Sequence, residues 1–469
     1  MPPPPPDLEK SSAPLPDPSD LTKYPEGGTR AWLVVLGAWC GLTASIGLYN
    51  TTGVFSVIIS NTILTSSSST SIGWIFSIYA FMDFDDGGDV LYSAWDDVFE
   101  FLYRWIFLAF SLLTGLGSSL LLTPSMACVA HWFDVRRGLA SGVAWTGGGV
   151  GGVLFSLLIQ GLLPHIGWAW CIRITAFILL FLCIISILLC RSRISPSPHK
   201  NATSPWRATL PDYHIFLDGT GAMAFTTLGV LFVDLAYFIP ITYLPSYYLS
   251  RQDLPTSSTI SGSAAFGYQL LAILNASSCF GRLISGSLGD HFGHYNTMII
   301  SLLLCVLSIF ALWLPDIVIP SASSSDSPIF LIIFVIIFGF VSGSNVSLTP
   351  ICLGQLCDIR DYGRYYASCY TVVAFGVLVS LPAAGGILDV CGGGGGKGGK
   401  GDFWGVAVFT GGCYVVALGC FVWVRGRVVG WKRLVVGASR LCFITDTALG
   451  LLAPPVQHPD RSVPRPLSG

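Results

Sequence analysis

The chain has 469 residues, 52% hydrophobic and 11% charged, with a formal net charge of −2 at pH 7. Soluble proteins carry about 25% charged residues, and a mean hydropathy of +0.67 over this length leaves too little polar surface to enclose one soluble core. Lipid must be the solvent for much of it, and no basic stripe exists to track phosphates, so a soluble globular protein and a nucleic-acid binder are both excluded.

The chain opens on "MPPPPPDLEKSSAPLPDPSD", a Pro-rich stretch without an apolar signal-peptide region, so residues 1–30 are expected to be a disordered tail. A membrane span needs about 20 apolar residues. Runs of that kind lie at 31–59, 106–130, 139–164, 168–190, 221–248, 264–288, 297–315, 328–351, 366–388 and 403–424, ten in all. An eleventh, "SIGWIFSIYAFM" (71–82), meets Asp83, Asp85 and Asp86 after about half the required length. The segment from Ala80 to Arg104 holds seven acidic residues and one basic one. The hydrophilic stretch 191–220 then separates an incomplete first bundle (31–190, with the acidic insert 83–104) from a six-helix second bundle (221–424), and 425–469 is a tail. The class is an all-α polytopic membrane protein with ten clear spans.

Lys and Arg in short loops set orientation. "DVRRG", "RSRISPSPHKNATSPWR", "GRLISGSLGDHFGH", "DIRDYGR" and "RGRVVGWKR" all fall on one face with the N-terminus, while "PHIGW", "RQDLPTSST" and "PSASSSDSP" face the other side. Both termini are expected to be cytoplasmic, in a multi-pass protein of the plasma membrane.

Several motifs carry chemistry. "PEGGTRAW" (25–32) opens the first span, "HWFDVRRGLASGVAWTGGGVGG" (131–152) enters the span at 139–164, and "NASSCFGRLISGSLGDHFGHYN" (275–296) ends the span at 264–288. On these three motifs the chain resembles the major facilitator superfamily and, within it, the fungal type of the monocarboxylate-transporter-like family. The resemblance implies a two-bundle fold with twelve spans, so the second span here is truncated and the third missing. It also implies a gate motif, G-x-L-x-D-x-x-G, at Gly286, Asp290 and Gly293, where Asp290 caps and pairs near helix ends. Arg136 and Arg137 belong to the matching signature of the fifth span.

Arg282 lies eight residues before Asp290, about 12 Å along a helix, and an arginine at that depth needs a partner or a wet cavity. The family's matching arginine implies contact with a carboxylate or other anion. A snorkelling residue paired with a neighbouring carbonyl is the alternative. Asp234, in the middle of "LGVLFVDLAYFIP", is a candidate to pair with Arg282 or to serve as a protonatable switch; a polar residue facing a neighbouring helix is the plainer reading. In the animal monocarboxylate carriers, a lysine matches Asn50 and an aspartate matches Ser278. Both are neutral here, which disfavours proton–lactate symport by that mechanism and points to a less anionic solute. Trp145, Tyr243, Tyr247 and Phe375 are candidates to line a cavity, with interfacial aromatic packing as the alternative.

Other patterns are set aside. Gly147, Gly149 and Gly152 satisfy G-x-G-x-x-G, but inside an apolar helix they read as close helix packing rather than a dinucleotide turn. "GGGGGKGG" (392–399) lacks the Ser/Thr of a P-loop. The fourteen cysteines mostly stand singly in apolar runs and behave as small hydrophobes. The sequons at Asn50, Asn275 and Asn345 lie in membrane runs, and that at Asn201 on the cytoplasmic face. No cofactor, metal cluster or catalytic set is expected, so the sequence does not support an enzyme. The leading expectation is a secondary carrier of a small organic solute, exporting a secondary metabolite, with monocarboxylate uptake as the alternative and a gradient of protons or solute as the driving force. The competing reading from another class is a non-transporting relative, or a mis-spliced one in which a retained intron or missed exon left the acidic stretch.

Overall fold

The computed structural model describes residues 27–59, 70, 73–78, 114–133, 136–191, 213–217, 220–252, 265–318, 328–357, 362–391 and 403–429. The Pro-rich start, the acidic insert 83–104, Asn201, the glycine run and the tail beyond 429 lie outside them. Among the described residues every regular element is helical: α1 Thr29–Ala44, α2 Ile46–Tyr49, α3 Thr52–Ile58, α4 Thr114–Trp132, α5 Arg137–Leu189, α6 Ala222–Arg251, α7 Ala265–Phe292, α8 His294–Ser308, α9 Leu314–Val318, α10 Ile329–Gly354, α11 Tyr362–Cys391 and α12 Trp404–Val424.

Among the described residues, seven stretches are long and apolar enough to cross a membrane: Thr29–Ile58, Arg137–Leu189, Ala222–Arg251, His294–Val318, Ile329–Gly354, Tyr362–Cys391 and Trp404–Arg427. The second has 53 residues, about 80 Å of helix against a hydrocarbon layer of about 30 Å. It is divided at Gly167, whose φ of 71° and ψ of 170° are not helical, and so accounts for two of the expected runs. The expected loop "PHIGW" is thus one glycine break. α4 and α7 occupy the described parts of two more expected runs, with small and polar residues diluting their apolar character, so the described parts of all ten runs fall on helix. "GRLISGSLGDHFGH" differs from its reading as a loop: it is helical through Phe292 and turns only at Gly293, φ 92°.

The first span is not continuous. It breaks at Ser45 and again at Asn50–Thr51, where the Thr51 hydroxyl donates back to the Leu48 carbonyl at 2.5 Å. Irregular backbone at membrane depth is tolerated only where protein or a cavity satisfies it. Here the freed Asn50 carbonyl receives the Asn275 side-chain amide at 3.3 Å.

α5 packs between two neighbours and uses its glycines on two faces. A Cβ at Gly151 would lie 2.6 Å from the Gly47 Cα of α2, whereas one at Gly149 would lie 2.5 Å from the Cys279 sulfur of α7. The G-x-G-x-x-G run is therefore a close-packing stripe, because only a missing side chain lets backbones approach this far. α7 meets α10 the same way. Gly281 presses on the Phe340 carbonyl and Gly343 on Ser278, while the Ser344 hydroxyl donates to the Gly281 carbonyl at 3.1 Å. A methyl at Gly281 would overlap backbone, which cannot step aside as a side chain would. Gly281→Ala is expected to lose about 1–3 kcal/mol, measured as a lower Tm of the purified protein in detergent.

Candidate functional site

The break in the first span, the glycine face of α5, the middle of α6 and the middle of α7 converge on one polar cluster. Arg282 is fully buried at its centre. Its Nη1 donates to the Trp145 carbonyl at 2.7 Å, and its Nη2 to the Tyr237 hydroxyl at 3.1 Å. Tyr237 in turn donates to Asn50 Oδ1 at 3.4 Å, and Asn50 Nδ2 donates to the Gly148 carbonyl at 3.1 Å. Asn275 joins the cluster through its bonds to the Asn50 and Leu271 carbonyls. Arg282 Nε and Asn275 Oδ1 are buried without partners. A charged arginine in the bilayer centre costs about 2.5–3.5 kcal/mol or more, and two neutral acceptors satisfy only part of its donor fork.

Asp234 lies one helical turn before Tyr237 and is 4% exposed. The expected pairing with Arg282 is not present. The ion pairs among the described residues are Arg251–Asp316 and His294–Asp290, and Asp234 Oδ2 is buried without a hydrogen-bond partner. Tyr237 interacts electrostatically with both the carboxyl and the guanidinium. Tyr366 and Tyr370 of α11, and Tyr414 of α12, complete the electrostatic surroundings of Asp234. Sequence reasoning missed Tyr237, Asn275 and these three tyrosines. The available signal was a phenol three residues after the acid, and a second pair of phenols at i, i+4 in an otherwise apolar run.

Toward one end of the molecule, α5 and α7 close on each other. The Asp290 carboxylate accepts from the amides of Gly138 at 2.9 Å and Leu139 at 3.0 Å, which caps the N-terminus of α5. The positive end of the helix dipole and two otherwise orphaned N–H groups both favour an anion there. Gly286 permits this approach, since a side chain on it would strike the Gly138 carbonyl. His294 Nε2 lies 3.1 Å from Asp290 Oδ1, and its Nδ1 lies 2.6 Å from Gln355 Nε2. Arg137 reaches in the opposite direction: its guanidinium carbon sits 4.5 Å above the Tyr362 ring, and the group packs against Gly354 at the C-terminal end of α10, where a cation meets the negative end of a helix. Arg136 is exposed at the turn before α5.

At the opposite end α3 crosses α6. Pro245 leaves the Ile241 carbonyl without its helical donor, and Gly53 seats directly on that carbonyl. The Thr52 and Thr242 hydroxyls are 3.3 Å apart, and Thr70 donates to Asp389 at 2.8 Å. The remaining candidates lie on this side or outside. Tyr243 donates to the Leu381 carbonyl at 3.1 Å, tying α6 to α11. Tyr247 donates to Asp316 at 2.5 Å beside Arg251. Phe375 is 47% exposed on the outer surface, away from the cluster. Trp145 contributes its carbonyl, and its ring is buried. Ser278 is buried and donates to the Asn275 carbonyl.

The profile of the Major Facilitator Superfamily matches residues 98–323. The chain is 32% identical over 399 residues to "MFS-type transporter 1" of Ophiocordyceps sp. (strain BCC 1869), spanning 81% of this chain and 83% of that protein. It is 32% identical over 410 residues to the riboflavin transporter MCH5 of Saccharomyces cerevisiae, spanning 79% and 74%. Over 385 residues it is 31% identical to the fujikurins efflux protein of Gibberella fujikuroi, spanning 78% and 77%. In fold it is similar to the nucleoside transporter NupG, with a TM-score of 0.50 at 16% identity over 84% of this chain and 95% of that one. The apolar helices, the capping aspartate near the end of α7 and these likenesses agree: the chain belongs to the major facilitator superfamily.

Proposed function

We propose that the chain is a secondary active carrier that exports a small organic solute of the secondary-metabolite type. The motifs quoted for the monocarboxylate-transporter-like family favour that branch of the superfamily. Two bundles, 31–190 and 221–424, would alternate access to a central site. The basic loops support a cytoplasmic location for both termini, and the plasma membrane is the location that fits export.

The observation that carries this reading is Arg282. It is fully buried where helices of both halves meet, it bonds only neutral groups, and its Nε is unpartnered. Cross-half contacts lie on either side of it, at Asp290–Gly138 and at Thr52–Thr242. A solute acceptor oxygen would complete the donor fork, and breaking one set of contacts or the other would open one side. The efflux role of the Gibberella fujikuroi relative supports the direction.

The test is flux through liposomes containing the purified full-length chain, with riboflavin, an aromatic polyketide and lactate as solutes. Protein-dependent movement of either larger compound, inhibited by excess of the other, is the expected result. Arg282 also favours a second reading, monocarboxylate uptake, which preferential lactate flux would support. Absence of flux for all three would sink the carrier reading.

A further inference from the structure

We propose that Asp234 is where a proton and a hydroxyl donor of the solute compete, making the carrier a proton antiporter for neutral hydroxy-carbonyl compounds. This rests on the carrier reading above and specifies its solute class and coupling.

Besides Asn275 Oδ1, the cluster leaves unfilled positions of opposite kind on its acid and its base. Asp234 Oδ2 is a buried acceptor without a donor, and Arg282 Nε is a buried donor without an acceptor. They project from adjacent helices, α6 and α7, and Tyr237 links them: it lies one turn from Asp234 and receives Arg282 Nη2 at 3.1 Å. Buried polar groups are nearly always satisfied, so orphaned atoms on the acid and the base of one cluster mark positions for something else. A neutral molecule bearing a hydroxyl and a carbonyl fills both, the hydroxyl donating to Asp234 and the carbonyl accepting from Arg282. A simple carboxylate fills only the second and adds a negative charge beside the first.

The coupling follows from burial. The ionisable groups around Asp234 are Tyr237 on its own helix, Tyr366, Cys369 and Tyr370 on α11, Tyr414 on α12, and Arg282 on α7 beyond Tyr237. Phenols and thiols are ordinarily neutral near pH 7. Asp234 is the group in this set whose charge changes during a cycle. Unprotonated, unpartnered and 4% exposed, its carboxylate opposes closure of the protein around it. Closure therefore needs a proton on Asp234 or a solute hydroxyl against it. Carrying one or the other, and not neither, is the condition for exchange. The proton moves from one bulk phase onto the carboxylate and leaves to the other, with no covalent change in the solute.

Two measurements test this on the full chain. The first needs no solute: infrared difference spectra of the purified protein across a pH titration. The wild type is expected to show a titrating protonated-carboxyl band that disappears in Asp234→Asn, persists in Asp389→Asn and returns, shifted, in Asp234→Glu. Adding riboflavin, a neutral hydroxy-carbonyl compound, is expected to diminish the band by displacing the proton. A band unchanged in Asp234→Asn, or one that riboflavin strengthens, overturns the proposal; the latter result is the signature of symport.

The second is riboflavin flux in liposomes. A pH gradient is expected to drive wild-type accumulation up to about tenfold per pH unit. Asp234→Asn is expected to lose the pH-driven accumulation and Asp234→Glu to restore part of it. Accumulation that survives in Asp234→Asn overturns the assignment. A wild type that moves no riboflavin counts against the solute class, while the infrared band then decides the proton site by itself.

Discussion

Arg282→Gln is expected to reduce transport by about 10- to 100-fold, the range of a lost charge-assisted hydrogen bond worth about 1.5–3 kcal/mol. Two effects combine. The solute loses the donor at Nε, and the Trp145 carbonyl and Tyr237 hydroxyl lose the groups that now reach them at 2.7 and 3.1 Å. The second effect leaves buried acceptors unsatisfied, so stability should fall by about 1–3 kcal/mol as well. Arg282→Lys separates the two. It retains a positive charge but has no planar fork, so it cannot hold both acceptors and present a third donor in the same geometry. Lysine is therefore expected to recover most of the thermal stability while transport remains at least about tenfold impaired. Initial rates in liposomes, set against Tm in detergent, distinguish these outcomes. If Arg282→Gln transports normally at reduced Tm, the arginine is a structural plug between α5, α6 and α7, and the solute binds elsewhere.

Asp290→Ala is expected to loosen the crossing of α5 and α7. Its carboxylate holds the Gly138 and Leu139 amides at 2.9 and 3.0 Å. A helix cap is worth about 0.5–2 kcal/mol, and an ionised acceptor places this one toward the upper end. The amides themselves report the change. Hydrogen exchange at residues 138–140 should accelerate by about 3- to 30-fold, the equivalent of that energy, while exchange in the middle of α12 stays constant. Asp290→Asn keeps one acceptor oxygen and should fall between the two. Unchanged exchange at 138–140 in both variants would mean that glycine packing, rather than the carboxylate, holds this end shut.

Much of this architecture could be read from the chain directly. A stretch of about 20 apolar residues has one stable environment, so the ten runs were legible without any tertiary information, and the described part of each falls on helix. The depth of Arg282 followed from counting back from Asp290 along a helix. The resemblance around Gly286, Asp290 and Gly293 led to a capping role, and the carboxylate does cap α5. Neutral Asn50 and Ser278 pointed away from an acid–base triad, and both sit within or beside the cluster as hydrogen-bonding groups.

Which way each helix turns its side chains was decided by the tertiary structure. A helix that is apolar on all sides gives its sequence no stripe from which to read an orientation. Thus Phe375 faces outward although it shares a run with buried tyrosines, and Tyr243 and Tyr247 are committed to Leu381 and Asp316. The glycines of α5 divide between two neighbours that lie about a hundred residues away in sequence on either side. Asp234 and Arg282 occur on consecutive spans, and opposite charges in lipid suggest a pair. In the folded chain the guanidinium bonds the Tyr237 hydroxyl, and no ion pair joins the acid to the base. Composition determined that these groups would be buried together; only the packing of α5, α6 and α7 determined that the acid and the base would each keep a position open.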